Sequence, residues 1–282
     1  MKSILVALPM IVGLTLSAGE TFNLKASCSG TTVQWTDLSN YDEEHTNAPG
    51  SDDLVFIPAN VTVTVDDTTF GQIGSVCQIR PDSGATVVFD LAADHDLSAA
   101  VSYMTNTAAT TSYTFRGMVV KRGTGVLSLG SAGLRPRSTS SCYDYAVAWT
   151  VENGCLLLPP QVGKFTGMFI NSIAVSRPGI VQVRFEGQDV YLTGGLSGDG
   201  TIGHASTGRA FIDSMARSSV FSGDVTGNVR LFAREANCTL YLTGTNNASP
   251  SNARACLGGI IALQRFGYGT EDVHNSLGTQ KV

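Results

Sequence analysis

The sequence has few charged residues and no run of basic ones. Asp, Glu, Lys and Arg make up 15% of the 282 residues, and the formal net charge is −5. A nucleic-acid groove needs clustered Lys and Arg to meet the phosphates, so this class of partner is excluded. The two tightest basic spots, Lys121-Arg122 and Arg135-Pro136-Arg137, are interpreted as solvated turns.

The sequence also lacks an apolar run of the roughly 20 residues that a membrane-spanning helix requires, so we expect no membrane span in the mature chain. A shorter apolar run, 4–16, follows Lys2 and precedes the small residues of Ser17-Ala18-Gly19. This pattern is typical of a secretory signal peptide. Residues 1–19 are therefore predicted to be removed, residues 20–282 to form the mature domain, and the protein to be secreted or displayed at the cell surface.

None of the six cysteines forms a C-x-x-C pair, which argues against zinc or a thioredoxin-like role. We expect no metal and no cofactor. Export permits disulfides, and short loops are the least costly to close, so the sequence favours Cys142 with Cys155 and Cys238 with Cys256. Free buried cysteines are the alternative.

Long helical periodicity is missing, and the two best helical candidates, 96–104 and 211–217, are about two turns each. Short β-branched or aromatic segments bounded by Gly, Asn, Asp or Pro recur instead. These predicted strands are 54–57, 61–65, 85–89, 113–115, 125–129, 180–185, 190–192, 229–232 and 239–242. The sequence therefore predicts an all-β fold.

Two internal echoes indicate a repeating architecture. Val190-Tyr-Leu-Thr-Gly194 recurs as Leu240-Tyr-Leu-Thr-Gly244, and Ser197-Gly-Asp199 recurs as Ser222-Gly-Asp224. Such spacing suits a β-solenoid with about 20 to 25 residues per coil, although chance among common residues would also produce it. The alternative is a β-sandwich. The alternating apolar positions predict one core containing Val61, Val63, Val65, Val181, Val183, Phe185, Leu240 and Leu242.

Two regions resemble a known family. Trp35, Asn40-Tyr41, APGSDDLVFI at 48–57 and VTVTVD at 61–66 resemble the opening segment of bacterial autotransporter-passenger surface proteins. FSGDVTG at 221–227, LYLTGTN at 240–246, GGIIAL at 258–263 and SLG at 276–278 resemble one autotransporter-associated β-strand repeat. The resemblance implies a right-handed parallel β-helix displayed outside the cell.

The sequence departs from that family in three respects. Its six cysteines are more than such passengers normally carry. Tyr41 stands where a second Trp is usual, and the repeat stops at 276–282, where family members continue toward an anchor. We therefore expect a shortened relative or a chain truncated at the C-terminus. A solenoid ending on an uncovered coil would expose backbone groups, so we also expect self-association through that end.

The acidic residues that could carry chemistry are Asp52-Asp53, Asp66-Asp67, Asp94-His95-Asp96 and Asp199. Adjacent residues of a strand point to opposite faces, so an Asp-Asp pair does not place two carboxylates together, and we expect turn and strand-end roles. The triplet around His95 is interpreted as a solvated loop, and the remaining histidines, His45, His204 and His274, as surface positions. The stretch 194–200, GGLSGDG, matches neither a calcium repeat nor a serine elbow and is interpreted as a coil corner.

No catalytic, cofactor-binding or metal-binding residue is therefore predicted. The sequence favours a non-catalytic structural or adhesive surface protein, an adhesin whose coils contact glycans, host matrix or neighbouring cells. The alternative is a β-helix polysaccharide lyase or glycoside hydrolase acting on extracellular glycans, which would need convergent acids on adjacent coils.

Overall fold

The structure is a computed structural model. It describes residues 19–73, 76, 78–97, 100–101, 116–130, 135–136, 142–158, 167–184, 188–205, 210–233, 237–243, 254–255 and 260–263. Within these ranges the chain is mostly β, as the sequence predicts.

The described elements are 24 strands, one α-helix and two short 3-10 helices, Ala26–Cys28 and Leu38–Asn40. The helix is α1 (Asp67–Ile73). The strands, in chain order, are β1 (Thr21–Asn23), β2 (Thr31–Thr32), β3 (Leu54–Ile57), β4 (Thr62–Asp66), β5 (Gln78–Pro81), β6 (Thr86–Asp90), β7 (His95–Leu97), β8 (Ala100–Val101), β9 (Met118–Arg122), β10 (Val126–Leu129), β11 (Arg135–Pro136), β12 (Cys142–Val151), β13 (Cys155–Leu157), β14 (Gly167–Val175), β15 (Ile180–Val183), β16 (Gln188–Gly198), β17 (Thr201–His204), β18 (Ala210–Ser214), β19 (Ser219–Phe221), β20 (Asp224–Val225), β21 (Val229–Ala233), β22 (Thr239–Leu242), β23 (Arg254–Ala255) and β24 (Ile260–Leu263).

The strands form three sheets, and the chain moves from one sheet to another at nearly every step. One sheet has the order β1-β3-β5-β8, and a second has the order β20-β17-β15-β13-β10-β7. The largest contains β2-β4-β6-β9-β12-β14-β16-β18-β21-β23 together with β11, β19, β22 and β24. Among the described strands every pair is parallel except β11 with β12. The antiparallel pairing of a β-sandwich is therefore not what this chain adopts.

The pairing register brings residues about one coil apart in sequence side by side. Val181 pairs with Ile202, and Val190 pairs with Ile212, which in turn pairs with Leu231. These separations are 21, 22 and 19 residues, close to the 20 to 25 predicted for one coil. Earlier steps are longer, with 33 residues from Thr21 to Leu54 and 32 from Thr86 to Met118. Residues 190–192 of β16 thus stack in parallel register on residues 212–214 of β18.

The core is a single cluster formed by the inward side of these strands. Alternation along β4 buries Val63 and Val65 and leaves Thr62 and Thr64 partly exposed, because successive side chains point to opposite faces. All the predicted core residues in the described ranges are buried: Val61, Val63, Val65, Val181, Val183, Leu240 and Leu242. Phe185 lies outside the described residues.

The free edge of β1 is covered by the chain's own residues 40–42. Leu24 and Tyr41 form an antiparallel bridge, the Lys25 amide donates to the Asn40 carbonyl at 2.8 Å, and the Asp42 amide donates to the Asn23 carbonyl at 2.9 Å. Tyr41 is buried and packs edge to face on Phe22. This end of the sheet is thus protected against pairing with another chain. The C-terminal end, where self-association was predicted, lies beyond the described residues.

Two details differ from the sequence predictions. Both helical candidates are wrong where described, since 96–97 and 100–101 are strand and Phe211 lies within β18, because their apolar residues alternate and find partners on adjacent strands. The echoed segments do not stack on each other. In the first echo, Leu240 pairs with Ser219, which is not a partner of Val190. In the second, Gly198 pairs with Phe221 rather than with its counterpart Gly223. The echoes therefore indicate about the right coil length for β16 to β21 only, and they are not in register.

The cysteine side chains that the structure describes are free thiols: Cys28, Cys155 and Cys238. The favoured disulfides of Cys155 with Cys142 and of Cys238 with Cys256 are therefore not formed in this structure. For Cys142 and Cys155 the reason is topological. The ten-residue β12 begins at Cys142 and ends at Val151, so it carries the chain roughly 30 Å before the short turn to Cys155 in another sheet. Disulfide formation among the other cysteines stays a prediction.

Candidate functional site

The most chemical-looking triplet of the sequence, Asp94-His95-Asp96, holds neighbouring turns of the chain together. His95 Nε2 lies 2.8 Å from Asp67 Oδ1, and the Phe70 ring contacts the imidazole at 4.3 Å between centroids. Asp94 Oδ1 accepts the Val126 amide at 2.8 Å. The hydrogen bond from His95, followed by those from two backbone amides, lowers the pKa of the Asp67 carboxyl. The prediction of a loop here is wrong, since 95–97 form β7.

The other predicted acids also serve the backbone. Asp53 accepts the amides of Glu20 and Gly50, and Asp66 accepts those of Thr68 and Thr69 at the start of α1. These contacts agree with the turn and strand-end roles expected from the sequence.

Asp199 and the glycine-rich stretch 194–200 likewise make structural contacts. Asp199 Oδ1 accepts the Arg177 amide at 3.0 Å. The stretch itself is mostly strand, because β16 runs through to Gly198, and a bulge at 193–194 shifts its register against β14. The corner predicted for it therefore lies only at its end.

The histidines differ in their environments. His45 is not a surface residue: its side chain is 8% exposed, its ring stacks on Phe22 at 3.9 Å, and its Nδ1 lies 3.1 Å from Glu20 Oε2. His204 is partly buried at the end of β17, and His274 lies outside the described residues. In the part of the chain that the structure describes, no group of three or more His, Cys, Asp or Glu could hold a metal ion, and no helix is long and apolar enough to cross a membrane.

Lys121 is not in a solvated turn, as the sequence predicts, but lies within β9 with its side chain buried. Lys121 is 0% exposed, and its ammonium donates to the carbonyls of Arg122, Gly123 and Leu91. Desolvation by burial lowers the pKa of this amine. Cys155 is close enough to interact with it electrostatically, and burial raises the pKa of the Cys155 thiol to about 11. The Lys121 ammonium therefore serves as a hydrogen-bond donor to backbone carbonyls and is not exposed as a reactive group.

The outward side of β16, β18 and β21 carries the richest set of side chains for recognising a ligand. Each of these three neighbouring strands presents one aromatic and one charged residue there, alternating with buried residues of the core. We call this set the aromatic–charged face; its members are Asp189, Tyr191, Phe211, Asp213, Arg230 and Phe232.

The register places these residues in two columns across the strands. In one column Asp189 pairs with Phe211, and Phe211 pairs with Arg230. In the other, Tyr191 pairs with Asp213, and Asp213 pairs with Phe232. The aromatic residue thus changes column from each strand to the next.

Contacts within the aromatic–charged face hold the rings in place while leaving them partly exposed. The Tyr191 hydroxyl donates to Asp189 Oδ2 at 2.7 Å. The guanidinium carbon of Arg230 lies 5.7 Å from the centroid of the Phe211 ring, and the Phe211 and Phe232 rings are 5.8 Å apart with 51° between their planes. Asp213 is only 1% exposed. The face therefore combines ordered rings with hydrogen-bonding groups at its edges.

Sequence reasoning missed this face. The signal was present as the alternating triplets Asp189-Val-Tyr191, Phe211-Ile-Asp213 and Arg230-Leu-Phe232, each with an apolar residue between two functional ones. Only the register of the three strands shows that the triplets are neighbours.

No protein-family model, no curated protein and no solved structure matches the chain. The resemblance to autotransporter passengers therefore rests on the motifs quoted above alone.

Proposed function

We propose that the protein is a secreted or cell-surface structural and adhesive protein without catalytic activity, folded as a right-handed parallel β-helix. The observation that carries the proposal is the continuous parallel register of the largest sheet from β2 to β23. A chain that returns repeatedly to the same sheets builds an extended lateral surface, which suits display and contact. The motifs resembling autotransporter passengers favour the same class of protein.

Two physical arguments support the finer features. Connections between parallel strands of one sheet are right-handed in nearly all proteins, so repeated parallel returns favour a right-handed coil. The acids that would be suspected of catalysis are engaged in backbone hydrogen bonds, as Asp53, Asp66 and Asp94 are. The N-terminal segment 1–19 supports export.

The parallel register is tested by engineered disulfides. Thr62 and Thr86 pair in register on the outward side of β4 and β6, at a Cα separation that a disulfide can bridge. We expect the T62C/T86C variant to form this disulfide under mild oxidation, as mapped by mass spectrometry. The offset pair T64C/T86C is the control and should not form one. Preferential bridging of the offset pair would contradict the register.

Export and adhesion are tested on the full chain expressed in a bacterium. We expect the protein outside the cytoplasm with an N-terminus at Gly19 or Glu20, sensitive to protease added to whole cells, and able to attach beads coated with it to cell surfaces. Retention in the cytoplasm with 1–19 intact would contradict the proposal.

The second candidate function, a glycan-cleaving enzyme, is favoured by one observation. Asp189 and Asp213 lie on adjacent strands of the aromatic–charged face, offset by two residues. Strand geometry separates their Cα atoms by about 8 Å. The two carboxyl groups of an inverting glycoside hydrolase lie about 6.5–9.5 Å apart, a spacing that two adjacent strands can carry. Release of reducing ends from a polysaccharide panel, abolished in both D189N and D213N, would favour this function over the non-catalytic one.

A further inference from the structure

The aromatic–charged face has a composition that ordinary sheet packing does not require. Cross-strand aromatic pairs do stabilise sheets, and Tyr191 has such a partner in Phe169 of β14. Phe211 and Phe232, in contrast, are paired in register with charged residues. The rings of Tyr191, Phe211 and Phe232 remain partly exposed on three successive strands. A large outward ring on each of three adjacent strands marks a recognition surface.

The chemistry of the face matches a carbohydrate. The C–H faces of pyranose rings pack on aromatic rings, and their hydroxyl groups hydrogen-bond to carboxylates and guanidinium groups. Asp189 supplies acceptors beside the rings and Arg230 supplies donors, whereas Asp213 is buried beneath them. An aromatic ring has two rotatable side-chain bonds, so ordering it on binding costs little entropy.

The charge of the face selects among glycans. Two carboxylates and one guanidinium leave it with a formal charge of −1, and the whole chain carries −5. Acidic polysaccharides would be repelled by both charges, whereas a neutral glycan would not. The spacing between strands sets the direction of the bound glycan chain, because neighbouring strands lie about 4.8 Å apart. The repeat of an extended pyranose chain is similar, so successive sugars along the stacking direction would meet successive strands.

We infer that the aromatic–charged face binds a neutral, extended pyranose glycan, with about one sugar ring over each of β16, β18 and β21. The inference rests on the proposed adhesive function and names its ligand class and its site. Tyr191, Phe211 and Phe232 supply the stacking surface, while Asp189 and Arg230 bind hydroxyl groups.

The test uses calorimetric titration of the full mature chain with defined oligosaccharides. The neutral probes are the hexamers of cellulose, chitin and β-mannan, and the acidic probe is hexagalacturonate. We expect at least one neutral hexamer to bind, its affinity to rise from dimer to tetramer, and hexagalacturonate to bind at least about tenfold more weakly.

Variants assign the binding to this face. F211A and F232A should each weaken binding by at least about tenfold, because each removes a ring from the stacking surface. Y241A is the matched control, since Tyr241 is 41% exposed on β22 and outside the face. Its affinity should equal that of the unmodified protein. F211Y keeps an aromatic ring and should retain binding, which separates a lost ring from a disturbed fold.

Three results would overturn the inference: none of the neutral hexamers binds, the acidic probe binds best, or F211A and F232A bind as the unmodified protein does while remaining folded. Failure of the inference is distinguishable from failure of the proposed function. A protein that is exported and adheres to cells, but adheres equally well as F211A, refutes the site and leaves the function standing.

Discussion

At the scale of single residues, Lys121 shows how this chain uses a charge in its interior. The side chain is 0% exposed, and its three acceptors are the carbonyls of Leu91, Arg122 and Gly123 at a turn. The neighbouring backbone is close: a Cβ at Gly154 would lie 3.0 Å from the amine and 2.4 Å from the Gly123 carbonyl oxygen. The ammonium therefore replaces the water that would otherwise solvate these carbonyls.

The first prediction concerns Lys121→Met, which should lower the free energy of unfolding at pH 7 by about 1–3 kcal/mol, because buried carbonyls lose their donor. Desolvation lowers the pKa of the folded-state amine, so the unfolded state binds more protons between this pKa and the ordinary value of about 10.4. The stability of the unmodified protein should therefore rise with pH across that window.

Urea unfolding at a series of pH values checks this linkage. In Lys121→Met the lysine contribution to the rise is absent, and the difference in stability between the two proteins should widen toward pH 10. A difference that stays constant with pH would contradict the burial of a charged amine. Lys25→Met is the control, because the Lys25 amine contacts one carbonyl at an exposed site.

Cys155 yields the second prediction, on thiol reactivity. Burial raises the pKa of its thiol to about 11, so at pH 8 very little of it is thiolate, the reactive form. We expect Cys155 in the native protein to be alkylated at pH 8 at least about tenfold more slowly than in urea, as followed by peptide mass spectrometry. Native alkylation as fast as in the unfolded chain would show that the thiol is accessible and not perturbed. Recovery of Cys155 in a disulfide would contradict its free state.

At the scale of elements, strands were predictable where alternation is local and were missed where it depends on neighbours. Val63 and Val65 stand between threonines, so β4 could be recognised from five residues. Residues 142–151 and 167–175 contain polar or small residues within the strand and were not predicted, because pairing on both sides stabilises them.

The candidate site was unpredictable for the same physical reason. Asp189, Phe211 and Arg230 are far apart in sequence, and only the register of β16, β18 and β21 makes them neighbours. If the pairing of any of these strands shifted by one residue, its aromatic and charged side chains would point into the core and its apolar side chain would point outward.

The third prediction addresses the bulge of β16. Gly195 follows the bulge with φ +90, and a Cβ there would lie 2.8 Å from the Cβ atoms of Ala216 and Ser219. Gly195→Ala should therefore destabilise the protein by about 1–3 kcal/mol, by backbone strain and by crowding. Gly71→Ala is the matched control: Gly71 lies in α1 with open space around its Cβ position, and alanine favours a helix. Equal stabilities of the two variants would contradict the strained conformation at Gly195.

At the scale of the whole molecule, the stacked strands raise the problem of their terminal edges. Each parallel strand in the interior uses its amides and carbonyls on both neighbours, but the first strand of a sheet has a neighbour on one side only. At β1 that vacancy is filled by residues 40–42, held by Tyr41, whose hydroxyl donates to the Trp35 carbonyl at 2.7 Å. Trp35 and Tyr41 are both buried, so this cover is packed as firmly as the core.

The last prediction is that removing this cover converts the edge of β1 into a surface for self-association. Tyr41→Ala deletes a buried ring that packs on Phe22 at 5.1 Å, at a cost of about 3–5 kcal/mol. This cost falls first on residues 40–42, because Tyr41 is their buried side chain and forms the bridge to Leu24. Once they detach, the Lys25 amide and the Asn23 carbonyl lack partners and can pair with a strand of another chain.

Sedimentation velocity should show concentration-dependent association of Tyr41→Ala beyond that of the unmodified protein. Tyr41→Phe keeps the ring and should sediment as the unmodified protein does, and Val181→Ala, a core substitution remote from β1, controls for general loss of stability. If folded Tyr41→Ala sediments as Val181→Ala does at every concentration, residues 40–42 do not protect the edge.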